Sequence, residues 1–288
     1  RRANEAASPP FSFTRFKRAW NNQNAKADVF CYFDEKIAAC SRTKQYSTSG
    51  LYYCALSALR SFHNGTTLSF NTITPDWLDR FVSWMMSTDK ESDKKRSSLT
   101  TTSMYLRCLR AIFNDAKKNN DTNNYPFSRG NNHHGGFRIP KPEKTRYPLS
   151  EHELTKLKAY QPTESEQFWL DMFMFSYYSG GMNIKDIALL EKTHFVSNSL
   201  SFVREKAARI SPKEYNIPVG PEAQAIINRW QTDGKYLFPL INDSMDEEKI
   251  FKTIKFKVRN INKVLKSIAA NIGINTSIST NTARHTFA

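Results

Sequence analysis

Three basic residues set far apart are the part of this sequence best suited to do chemistry. They are Arg204 and Lys206 in the triplet Arg204-Glu205-Lys206, and Arg284 in the closing stretch Asn281-Thr282-Ala283-Arg284-His285-Thr286-Phe287-Ala288. A guanidinium can donate two parallel hydrogen bonds to a phosphate and stays charged while doing so. A lysine can protonate a departing oxygen. Together they supply what nucleophilic cleavage of a phosphodiester needs: neutralisation of the charge building on the non-bridging oxygens, and a proton for the leaving 5′ oxygen. Nothing in their spacing calls for a metal. By spacing alone, however, Arg204-Glu205-Lys206 reads as an ordinary surface strand.

The charge balance narrows the partners. Over 288 residues Lys and Arg outnumber Asp and Glu 42 to 27, a formal charge of +15. An excess of this size attracts polyanions and says nothing about fold, so nucleic acid leads the list of partners. No run of about 18 apolar residues occurs, which argues against a membrane span. The N-terminal Arg1-Arg2-Ala3-Asn4-Glu5 lacks the apolar core of a signal peptide. The expected setting is the cytoplasm, bacterial in type and nucleoid-associated. Cys31, Cys40, Cys54 and Cys108 form no CxxC pair and read as reduced core residues, and His133-His134 in its Gly/Asn-rich surroundings reads as a solvated loop.

The positioning elements follow from periodicity. Residues 1–26 form an arm or extension with Ser8-Pro9-Pro10 and a mixed aromatic and basic run. Residues 27–118 repeat apolar positions at helix spacing, through Val29, Tyr32, Phe33, Ile37 and Cys40, and again through Leu51, Cys54, Ala55, Ala58, Leu59 and Phe62. Thr74-Pro75 opens a further helix as cap and first residue. From about Thr101 to Lys118, Tyr105, Cys108, Leu109, Ile112, Phe113 and Ala116 share one side, while Arg107, Arg110, Asn114, Lys117 and Lys118 lie opposite. That basic face is expected to grip a phosphate backbone. Residues 119–148, rich in Asn and Gly and carrying Arg129, Arg138, Lys141, Lys144 and Arg146, read as a basic linker.

In residues 149–288, Ser150 and Glu153 make a capping box. An apolar helix through Phe168, Trp169, Met172, Phe173 and Phe175 ends at Ser179-Gly180-Gly181, and Asn183 caps a short helix after it. The period then changes to that of strands at Leu200 to Arg204 and Tyr215 to Val219, around a turn containing Ser211-Pro212. Helices resume over Pro221 to Gln231 and Met245 to Asn271. In the second of these, Ile250, Ile254, Val258, Ile261, Leu265 and Ile268 face away from Lys252, Lys255, Arg259, Lys263 and Lys266, and no acidic residue occurs from Lys249 to Ala288. That stripe is the strongest candidate for backbone contact.

The closing stretch resembles the Arg-His-Thr-Phe-Ala signature of the tyrosine recombinase (phage integrase) family, and the upstream triplet lies where that family keeps its lysine on a β-hairpin. The likeness runs through most of the chain and is nearest to the integrases of conjugative transposons and related mobile elements. It implies a mainly helical α+β protein: a helical core-binding domain, then a catalytic domain with a small antiparallel sheet. It implies site-specific recombination of duplex DNA through a 3′-phosphotyrosyl link, with no metal or nucleotide cofactor. Four protomers are expected on two sites, with a monomer conceivable without DNA, DNA-bending accessory factors conceivable, and no membrane partner. The family's first arginine falls at Gly180, and Arg204 matches the surrogate position two residues before the lysine. The resemblance thus implies Arg204 and Arg284 as phosphate clamps and Lys206 as general acid. Asn281 stands at the histidine position, able to donate a hydrogen bond but not to shuttle a proton. The nucleophilic tyrosine would follow Arg284 by about thirty residues, past the last residue of this sequence, so the chain as written is expected to bind DNA without cleaving it. The competing expectation is a catalytically inactive DNA-binding protein on the same scaffold, architectural or regulatory.

Overall fold

The computed structural model of the chain describes residues 28–88, 96–128, 136–143, 146–204 and 213–288. The chain divides into two compact units between residues 143 and 144. The described part is mainly helical with one small antiparallel sheet, as the sequence predicts.

The first unit contains helices α1 (Val29–Arg42), α2 (Tyr46–His63), α3 (Pro75–Met86) and α4 (Leu99–Lys118). Asp28 is buried and starts α1 by accepting from the Phe30 amide at 3.0 Å. The same oxygen accepts from the Leu68 amide at 2.9 Å and so ties the helix to a distant segment. Thr74 caps α3 ahead of Pro75, and Ser98 caps α4. The core is built on aromatic residues in edge contacts, among them Phe70 and Phe113 with ring centres 4.9 Å apart.

Two sequence expectations change here. In α2 the buried residues are Ser49, Tyr52, Ala55, Leu56 and Leu59, while Cys54 is exposed. The helix is turned so that the larger Tyr52 and Leu56 enter the core, since burying more apolar area favours that phase. Cys40 and Cys108 are buried as expected, and Cys31 is half-buried. The stretch expected to be a linker also contributes to the core. Phe127 and Phe137 are buried in it and pair through a backbone bridge, and Asn124 donates to the Phe70 and Ile73 carbonyls at 2.6 and 3.1 Å. Aromatic residues scattered through a polar stretch outweigh its composition. Residues 129–135, with Arg129 and His133-His134, lie outside the described residues.

The second unit holds α5 (Glu151–Ala159), α6 (Glu164–Tyr178), α7 (Ile184–Ala188), the strands β1 (Phe195–Val196), β2 (Ser199–Val203) and β3 (Glu214–Pro218), then α8 (Pro221–Trp230), α9 (Glu247–Asn271) and α10 (Thr280–Phe287). Every residue from Leu170 to Ser176 is buried, which makes α6 the central helix, with α8, α9 and α10 packed around it. The sheet runs in the order β1-β2-β3 with both pairs antiparallel. Leu200 faces Ile217 and Phe202 faces Tyr215, so alternate residues of β2 enter the core.

Two carboxylates hold this unit together. Asp171 on α6 is buried and accepts from Arg229 at 2.6 Å, from the Trp230 indole at 2.7 Å and from Gln167 at 3.0 Å, locking α8 onto α6. Asp171→Ala leaves Arg229 and Trp230 without their acceptor and should lower stability by about 2–3 kcal/mol. Urea unfolding checks this as a lower midpoint at unchanged slope. Glu153 closes its capping box on Ser150 and also accepts from the Thr276 amide and hydroxyl at 3.2 and 3.0 Å. These donors, chiefly the Ser150 amide, hold its carboxyl at about 2, below the ordinary 4.5. Its contribution is therefore complete above pH 4.5 and is lost as pH falls toward 2. Glu153→Gln should cost about 1–2 kcal/mol at pH 7, allowing for solvent screening of a half-exposed group. Unfolding curves at a series of pH values should show the gap from wild type shrinking through that window.

Candidate functional site

The turn that ends α6 is the floor of the site. The Ser176 hydroxyl donates to the Met182 carbonyl at 2.5 Å, and the Met182 amide donates back to the Ser176 carbonyl at 3.1 Å. Between them Gly180 and Gly181 take φ of 71° and 70°, a left-handed conformation that favours glycine. Asn183 then caps α7 by accepting from the Lys185 amide at 2.9 Å.

Helix α10 lies against this turn. Ser279 and Thr282 form its capping box, and Asn262 of α9 accepts from the Thr280 amide at 2.8 Å. The Thr286 hydroxyl accepts from the Leu149 amide at 2.9 Å and donates to the Thr282 carbonyl at 2.8 Å. Thr282 and Ala283 are buried, so Arg284 is fixed at its base. Its Nε donates to the Gly181 carbonyl at 2.8 Å. The approach is so close that a Cβ on Gly181 would lie 2.7 Å from the Arg284 Cα.

Arg204 reaches the same place from the end of β2. Its Nε is 3.5 Å from an oxygen of Asp186, a carboxylate on α7 whose side chain is 7% exposed, against 31% for Arg204. Burial lowers the Arg284 pKa, the neighbouring Arg204 charge lowers it further, and Asp186 opposes both. Two guanidiniums thus share the field of one buried carboxylate, an arrangement suited to an anion with two or more oxygens.

The structure therefore brings together Arg204 and Arg284, separated by 80 positions in the sequence. Gly180 sits beside them and carries no cation. Asn281 is exposed on the first turn of α10. Lys206 and the Ser211-Pro212 turn lie outside the described residues. Sequence reasoning missed Asp186 and treated Gly181 only as a helix stop. The one available signal for Asp186 was an acid among the apolar residues of Ile184–Ala188, since a carboxylate in such surroundings needs a cation.

The other cations expected to contact DNA fall on two helix faces and one flanking segment. On α4, Arg107, Arg110 and Lys118 are exposed, and Lys117 is half-buried over the Tyr125 ring at 5.4 Å. Arg138 and Lys141 are exposed in the segment after the Phe137 bridge. On α9, Lys252, Lys255, Arg259 and Lys263 are exposed, with Lys252 paired to Glu248 at 2.6 Å. Lys255, Arg259, Lys263 and Lys266, with Val258 and Asn262, line an open concavity of about 520 Å³. Among the described residues, no group of His, Cys, Asp and Glu could hold a metal, and no helix is long and apolar enough to cross a membrane.

The fold is that of a helical unit followed by a second helical unit that carries a small antiparallel sheet and paired arginines. Residues 28–134 match the phage integrase SAM-like domain. The chain is similar in structure to the Tn1549 transposon integrase in complex with circular intermediate DNA, with a TM-score of 0.61 and 15% identity over 91% of this chain and 85% of that one. It is similar to lambda integrase bound to DNA, with a TM-score of 0.59 and 14% identity over 90% and 85%. A lambda integrase tetramer bound to a Holliday junction matches with a TM-score of 0.56 and 13% identity over 99% and 76%. No curated protein sequence matches the chain. The chain carries the integrase core-binding domain and has the two-domain fold of the tyrosine recombinase (phage integrase) family.

Gly180 and Gly181 separate the two demands placed on this turn. Gly180→Ala has room, its nearest neighbours being Phe287 ring carbons at 3.7 and 3.8 Å, and should cost only the backbone strain of about 1 kcal/mol. Gly181→Ala adds a clash with the α10 backbone and should cost at least about 2 kcal/mol more. Thermal unfolding of the two variants side by side checks the ordering.

Proposed function

We propose that this protein is a site-specific DNA recombinase of the tyrosine class, which cleaves and rejoins duplex DNA through a 3′-phosphotyrosyl intermediate. The observation that carries the reading is the convergence of Arg204 and Arg284 on one buried carboxylate, leaving a positive site for a phosphate. In this reading the two guanidiniums clamp the scissile phosphate and stabilise the charge that builds on it during attack. Lys206 protonates the leaving 5′ oxygen. Asn281 can donate a hydrogen bond to the phosphate region without carrying charge. The reading requires an attacking tyrosine about thirty residues past Arg284. The exposed cations Arg107, Arg110 and Lys118 with the half-buried Lys117, then Arg138 and Lys141, and the α9 row Lys252, Lys255, Arg259 and Lys263 follow the DNA backbone. The tetrameric lambda integrase on a Holliday junction supports four protomers acting on two sites.

A second reading, a DNA-binding protein without cleavage activity, is favoured by Gly180 and Asn281, which occupy the positions of a family arginine and histidine. The complete reading frame separates the two: absence of a tyrosine about thirty residues past Arg284 refutes the recombinase. Expressed from that frame, Arg204→Ala or Arg284→Ala should abolish cleavage of a suicide substrate while most duplex binding survives. Replacing Lys255, Arg259 and Lys263 together by Ala should weaken binding to every duplex. It should also reduce the slope of log affinity against log salt by about 3, near one for each phosphate no longer neutralised. An unchanged slope would mean that this face of α9 meets something other than phosphate.

A further inference from the structure

One side chain of helix α9 both holds helix α10 and lines the basic concavity. Asn262 is half-buried, and its Oδ1 accepts from the Thr280 amide at 2.8 Å, at the first residue of α10. The same residue lines the open concavity of about 520 Å³ together with Lys255, Val258, Arg259, Lys263 and Lys266. Arg259, three residues before it, and Lys266, four residues after it, are its neighbours on the helix surface. Among the described residues, none of the four cations pairs with a carboxylate. A backbone amide can only donate, so its bond to Asn262 fixes which arm of the carboxamide is the oxygen. The other arm is the Nδ2 amino group, a donor that makes no hydrogen bond among the described residues.

We propose that Asn262 is a positioning residue that ties α10, and with it Arg284, to the backbone of bound duplex DNA: Nδ2 donates to a phosphate oxygen while Oδ1 holds the Thr280 amide. The inference rests on the duplex-binding reading given above and adds a link between the row of cations and the paired arginines. The concavity gathers four positive charges around Asn262, so the anion they attract comes to rest beside its unused donor. A phosphate is favoured over a base edge for a chemical reason. Asparagine reads adenine with both arms, accepting from N6 and donating to N7, and here the accepting arm is already taken. Arg284 lies four residues, about one helical turn, beyond Thr280. Fixing the first amide of α10 therefore fixes the turn from which the guanidinium projects.

Two substitutions of the same kind on α9 test the contact. Asn262→Asp keeps an oxygen for the Thr280 amide and replaces the donor by a negative charge. A carboxylate near the first turn of α10 is favourable, so this variant should melt no lower than wild type. Its affinity for duplex should nevertheless fall by about 10-fold or more, because a charge-assisted hydrogen bond gives way to repulsion. Asn260→Asp makes the identical change about 160° around the helix, where it should cost about 2-fold at the same salt concentration. Equal losses in the two variants, or no loss in Asn262→Asp, would overturn the proposal while leaving duplex binding intact. So would a loss confined to particular sequences, which marks a base contact. Hydrogen exchange reads the link to α10: duplex should slow exchange of the Thr280 amide in the wild type and leave it unchanged in Asn262→Ala. A Thr280 exchange rate that duplex does not alter in the wild type would refute that link. Failure of the wild type to bind any duplex would instead overturn the binding reading and this inference with it.

Discussion

Two guanidiniums held close together repel, and this chain restrains that repulsion with a single buried carboxylate. Asp186 is shielded from water on a helix of five residues, Ile184–Ala188, where its field acts on Arg204 and Arg284 with less screening than at an open surface. Much of the second unit serves to keep those three groups in place. The short helix is started by the Asn183 cap, which follows a turn whose two glycines take a backbone shape that other residues reach only under strain. Among the described residues, one carboxylate set against two arginines leaves the balance positive, which is the basis of the proposed phosphate site.

The scaffold supplies rigidity from the centre outward. Helix Glu164–Tyr178 is buried on all sides through its middle, so it can only be the core of the unit, and the turn carrying Gly180 and Gly181 is an extension of it. Helix Thr280–Phe287 is then fixed from three directions: by Asn262 at its start, by Leu149 along its flank and by the Gly181 carbonyl under Arg284. Polar contacts of this kind contribute modestly to stability but define geometry sharply. The proposed phosphate clamp needs that geometry, because a misplaced guanidinium loses its paired hydrogen bonds.

Much of this was legible before any coordinates. The caps at Thr74, Ser150 and Asn183, the apolar central helix, the strand pair and the long basic helix all follow from local signals, and the structure reproduces them. The phase of helix Tyr46–His63 was not legible, because Cys54 and Leu56 both satisfy a helical repeat and only competition for the core selects between them. The packing of Phe127 and Phe137 was hidden by the polar residues around them. Asp186 was hidden for a different reason: an isolated acid in a short apolar stretch has a partner only if the fold delivers one.

The sequence by itself determined residue types, helix and strand order and the side of each helix that carries charge, since these depend on neighbours within a few positions. Tertiary structure alone decided that Arg204, Arg284 and Asp186 share one field, and that Gly181 must yield space to the backbone at Arg284. Such meetings join residues as many as 103 positions apart. They are set by how whole helices pack, and no local pattern encodes them.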